Sequence, residues 1–158
     1  MKRSRPSNAR ANIAKHKVMA TNLMPAIGAD LAIDAARKGR RNEAIDDLRG
    51  LFALHMASGV RVEIGCTGEA LVRLLIDRGC IDDFAEAHRI LDSWRLKRPD
   101  VPAADLWWLK SRALLAEAED DSTGYCDLAS QYLELCENLD ARGRLAEARE
   151  MVSAGGST

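Results

Sequence analysis

The stretch LVRLLIDRGCIDDFAEAHRIL, residues 71–91, decides the fold. An apolar-periodic segment closes on Arg78-Gly79, and a second segment opens with Glu86-Ala87 a few residues later. Glycine just past a helix end adopts the left-handed backbone that closes it, and a cation there complements the helix dipole. Alanine beyond the turn suits a place where two helices pack closely. The same grammar appears at Lys38-Gly39 with Glu43-Ala44, and at Arg142-Gly143 with Glu147-Ala148. Three copies describe a helix–turn–helix array, in which shape is the working asset.

Working outward, the composition agrees. The chain has 158 residues, enough for one domain with a core, and only 4% of them are aromatic. Alanine and leucine are abundant, which favours close-packed helices over sheet. The net charge of −1 hides an asymmetry. Residues 1–29 carry six lysines and arginines and no acid, leaving 17 basic against 24 acidic residues from Asp30 onward, a net of −7. An acidic body argues against a nucleic-acid-binding face. The basic leader, residues 1–24, reads as a flexible arm, although an acid-free, arginine-bearing start also resembles a transit peptide. Phosphate binding through this arm is the rival function it raises.

Cys66, Cys80, Cys126 and Cys136 form no Cys-x-x-Cys pair, and no secretory signal is visible. Reduced thiols in a cytoplasmic protein follow. No run of about 18 apolar residues exists, so no membrane span is expected.

The apolar spacing predicts seven helices in an all-α chain. They run about Pro25–Lys38, Asn42–Ala57, Thr67–Gly79, Asp82–Lys97, Ala103–Glu119, Thr123–Arg142 and Leu145–Ser153. Asn42 is the expected N-cap of the second helix. Residues 25–153 then form the helical domain, and 154–158 a disordered tail.

This spacing resembles that of tetratricopeptide repeats, whose 34-residue unit pairs two antiparallel helices. Leu71, Leu74, Leu75, Ala87, Leu91 and Pro99 stand at consensus positions of a middle unit. Tyr132, Leu135, Gly143 and Ala148 do so in a last unit, and Leu31, Gly39, Ala44 and Leu48 in a first. The Glu-Ala pairs lie 43 and 61 residues apart, so the repeats are degenerate, with an irregular helix around Trp107. Leu106 to Ala116, together with Arg142 to Ala148, also resembles the C-terminal helical tail of bacterial regulators that join a nucleotide-cyclase or DNA-binding domain to an ATPase module. No Gly-x-x-x-x-Gly-Lys-Ser/Thr phosphate loop is present, so the parents' catalysis does not transfer.

The resemblance implies a TPR-like α-solenoid whose first helices line a groove. In that register Ile33, Arg37, Val72, Ile76, Leu133 and Glu137 face it. A mostly apolar groove suits an amphipathic helix or a regulator domain, or is filled by a second copy of the chain.

Reactive constellations are thin. His55, Cys66, Cys80 and His88 lack the paired spacing of zinc ligands, and His55 fits an apolar stripe as a hydrogen-bonded histidine. Asp46-Asp47, Asp82-Asp83 and Asp120-Asp121 read as carboxylates at helix starts, because adjacent helical residues diverge by about 100°. No Gly-x-Ser-x-Gly elbow exists among the turn-like Ser58-Gly59, Cys66-Thr67-Gly68 and Ser122-Thr123-Gly124. For the same angular reason one of Trp107 and Trp108 should bury while the other anchors a partner. The expectation is a non-enzymatic interaction module without cofactor or metal. Its rivals are a regulatory remnant with no independent activity and an arm that binds nucleic acid.

Overall fold

The computed structural model describes residues 28–59, 61–96 and 102–156, and the expected arm at 1–24 lies outside them. The fold is all-α. Helix α1 covers residues 28–37. It is followed by α2 (Arg41–Ser58), α3 (Arg61–Arg78), α4 (Ile81–Leu96), α5 (Pro102–Ala118), α6 (Ser122–Asn138) and α7 (Arg142–Gly155). Among the described residues there is no strand. No described helix is long and apolar enough to cross a membrane.

In the described corners one residue takes the left-handed region. Gly39 (φ 85°) and Gly79 (φ 71°) do this for two copies of the turn motif. The third copy departs from expectation. Gly143 lies within the first turn of α7, and Asp140 (φ 49°) makes the α6–α7 corner. Asp120 (φ 60°) does the same between α5 and α6. Aspartate tolerates this conformation better than most side chains. The hydrogen bonds explain why it can replace glycine. Arg40 N–H reaches Ala35 O, Asp121 N–H reaches Ala116 O, and Ala141 N–H reaches Cys136 O. Each spans five residues, so the three corners share one Schellman closure despite different residues.

The alanines behave as their spacing predicted. Ala44, Ala87 and Ala148 are fully buried at helix crossings. The helices pack α2 on α3, α3 on α4 and α5, α4 on α5, α5 on α6, and α6 on α7. Joined by such short corners, they make a front row (α1, α3, α5, α7) and a back row (α2, α4, α6). The core between them includes Ile45, Leu48, Leu71, Leu75, Leu91, Leu115 and Tyr132. This arrangement corrects the register of the last unit. Helix α6 is the back-row partner of α5, not the first helix of a third pair.

Helix α3 starts six residues earlier than expected. Gly65 and Gly68 weaken its intrinsic helicity, each by about 1 kcal/mol relative to alanine. Both sit under tryptophans. A Cβ at Gly65 would lie 2.9 Å from the Trp107 ring, and one at Gly68 would lie 3.1 Å from Trp94. The missing side chains let α5 and α4 approach, so packing offsets the lost propensity. Cys66-Thr67-Gly68 is therefore helix interior, not a turn.

Polar ties fix the corners. Asn42 lies within α2 and caps nothing; its Oδ1 accepts from Arg78 Nη1 at 3.0 Å. Arg78 also grips Asp83 in a bidentate pair, with Nε 2.9 Å from Oδ2, and Asp83 Oδ2 accepts from Cys80 N–H at 3.1 Å. Asp121 caps α6 by accepting from Gly124 N–H at 3.0 Å. Asp83 and Asp121 thus serve helix starts, whereas Asp46 and Asp47 lie in the second turn of α2, with Asp46 paired to Arg49. Arg49 Nε also donates to Glu86 Oε1 at 2.7 Å, tying α2 to α4. The tail expected from Ala154 is instead helical through Gly155. Cys126 Sγ donates to Gly155 O at 3.3 Å, and Tyr125 donates to Met151 O at 3.0 Å.

Candidate interaction surface

The front row presents four stripes at one-turn spacing. Helix α1 offers Asp30, Ile33 and Arg37; α3 offers Cys66, Glu69, Arg73 and Asp77. Helix α5 offers Trp107, Lys110, Leu114 and Glu117, and α7 offers Arg144, Glu147 and Met151. Parallel neighbours in one row bring these stripes side by side.

A polar spine joins three of them, those on α3, α5 and α7. Lys110, nearly buried, places Nζ 2.6 Å from Glu69 Oε1 and 2.7 Å from Glu147 Oε1. Arg144 Nη1 stands 3.8 Å from Glu69 Oε2, and its guanidinium lies 5.0 Å from the Trp107 ring centroid. The hydroxyl of fully buried Tyr132 on α6 accepts from Arg144 at 3.3 Å and donates to Glu147 Oε2 at 3.5 Å. Burial pushes the Tyr132 phenol up to about 12, so it stays protonated and keeps donating at neutral pH. Burial, followed by the nearby Glu69 carboxylate, pushes the Cys66 thiol up, which lowers its thiolate fraction. These groups are matched and held in place, so what they offer is a shaped, charged surface.

Three clefts run across this surface and meet at Arg73. One of about 180 Å³ lies between α1, α3 and α5, and one of about 170 Å³ between α1, α2 and α3. The third, about 300 Å³, lies between α3, α5 and α7, over Ile76, Leu114 and Met151.

The residues expected to bind a partner divide between this face and elsewhere. Ile33, Arg37, Ile76 and Trp107 line the clefts. Val72 is 1% exposed and belongs to the core, so it faces no groove. Trp108 is likewise buried. Its Nε1 donates to Leu91 O at 3.1 Å, and Arg95 and Arg112 lie 5.2 and 5.7 Å from its ring centroid. It joins α5 to α4 and is not an exposed anchor. Trp107 is the more accessible of the two, half-buried between α3 and Arg144. Leu133 and Glu137 sit on α6 in the back row; Leu133 packs on the core and Glu137 stands 3.9 Å from Arg149 of α7. The missed front-row residues include Glu69, Arg73, Lys110, Leu114, Glu117, Arg144, Glu147 and Met151.

The residues weighed as metal ligands occupy separate places. His55 Nδ1 is 3.0 Å from Thr67 Oγ1 in the core, as its apolar stripe predicted, and His88 Nε2 is 2.9 Å from Glu119 Oε1. Among the described residues no three His, Cys, Asp or Glu side chains converge as a metal site would require. No protein-family model matches the chain, and no curated protein or solved structure matches it at a significant level.

Proposed function

We propose that this chain is a non-enzymatic helical-repeat module that binds a segment of another protein along the front face. The supporting observation is the trio of clefts joined at Arg73, framed by a spine that holds α3, α5 and α7 in register. Apolar floors flanked by fixed charges are what a protein segment requires: burial for affinity and polar groups for register. The likeness to tetratricopeptide arrays and to cyclase or ATPase regulator tails favours a regulatory partner in the cytoplasm.

Site-specific photo-crosslinking tests this reading. A photoreactive residue at Ile76 or Leu114 should give discrete adducts in cells, whereas one at exposed Gln131 on α6 should not. Adducts from Gln131 alone, or from none of the three, would contradict it.

A further inference from the structure

We infer that the front face accepts an amphipathic segment carrying carboxylates for Arg37 and Arg73 and apolar side chains for the cleft over Ile76, Leu114 and Met151. This rests on the proposal that the face binds a protein segment, and it specifies that segment's chemistry.

The charges along the face are unevenly spent. In the α3/α5/α7 cleft, Lys110 is already satisfied by two glutamates, and Glu117 adds further negative charge. The α1/α2/α3 cleft has the opposite character: Arg37, Arg41 and Arg73 face one aspartate, Asp77. Arg41 donates to the Asp77 backbone carbonyl at 3.0 Å. Arg37 and Arg73 are exposed and make no hydrogen bond or ion pair among the described residues. Their cleft is floored by Ile33, Ala36, Ala70 and Leu74. A carboxylate placed there would pair with a guanidinium in a partly water-excluded setting, where charge-assisted bonds exceed surface ion pairs. A lysine placed there would meet like charge. Past Arg73 the α3/α5/α7 cleft brings Ile76, Leu114, Ala118 and Met151 to the surface beside the acidic Glu117, so the complementary segment is acidic at the Arg37 and Arg73 end and apolar beyond it. From α1 to α7 the face spans three interaxial spacings, about 27 Å, which suits a helix of roughly 18 residues or an extended run of about eight.

The test is selection of a random peptide display library on the full chain and on the Arg37→Glu/Arg73→Glu variant. Both arginines are exposed, so the fold should persist, and a thermal melt followed by circular dichroism checks it; Arg73→Gln provides a milder second variant. The expected result is enrichment of acidic-plus-apolar peptides, with affinity falling about tenfold or more in the double variant and falling with added salt. The variant keeps the basic residues of 1–29. Acidic peptides that bind it equally well are therefore held elsewhere and overturn the inference. Enrichment of neutral or basic peptides, blocked by Leu114→Lys, overturns the stated chemistry but leaves a protein-binding face. Enrichment of nothing overturns both.

Discussion

A methyl group added at Gly65 would meet the Trp107 ring at 2.9 Å, whereas one added at Gly50 would meet nothing within 4 Å. The two glycines are both helical, so the contrast separates propensity from packing. Gly50→Ala should raise stability by about 0.5–1 kcal/mol through helix propensity alone. Gly65→Ala gains the same term but suffers overpacking worth about 1–3 kcal/mol, so it should be net destabilising. Denaturant midpoints of the two variants check this. Asp83 gives a second residue-scale prediction. It is 2% exposed, and the Arg78 guanidinium, helped by the Cys80 N–H, holds its carboxyl below the usual range. A lowered native value means the stabilisation is full above the unfolded value of about 3.9 and fades as pH falls through the native one. Asp83→Asn should therefore cost about 2 kcal/mol at neutral pH. Its gap from wild type should close below roughly pH 4, as paired melts across pH would record.

At the scale of the helix, legibility depended on whether the deciding contacts were local. Apolar spacing announced seven helices, and Lys38-Gly39 and Arg78-Gly79 marked two corners where glycine takes the left-handed turn. The start of α3 was not legible, because the tryptophans that justify Gly65 and Gly68 arrive from positions 107 and 94. The α6–α7 corner was misplaced because Asp140 fills a glycine's role while Arg142-Gly143 imitates the motif inside a helix. The front-face stripes escaped because periodicity was read from apolar residues, and these stripes are mixed: Asp-Ile-Arg on α1 and Trp-Lys-Leu-Glu on α5. Reading polar residues at the same spacing recovers them. The spine that holds three of these helices is itself testable. Lys110→Met keeps the buried stem but leaves Glu69 and Glu147 opposed, at a cost of about 3 kcal/mol. Glu69→Gln in that background should recover about 1 kcal/mol or more, a coupling that a double-mutant cycle measures.

Across the whole molecule, the two rows divide the labour. The back row, tied by Arg49–Glu86, and the Arg78–Asp83 pair that joins α3 to α4 hold the hairpins in order. Among the described residues, the front row leaves Arg37 and Arg73 without a hydrogen bond or ion pair beside apolar floors. Val72, Trp108, Leu133 and Glu137 were assigned to a groove from a register that the packing shifts, whereas Ile33, Arg37, Ile76 and Trp107 line the front-row clefts. The division makes the account vulnerable at one point, the location of binding. Amide chemical-shift mapping of the nitrogen-labelled full chain, titrated with the strongest peptide from the display selection, addresses it directly. The largest changes should fall at Ile33, Arg73, Ile76, Leu114 and Met151. Changes clustered on α2, α4 and α6, or a selection that yields no binding peptide to titrate, would contradict it.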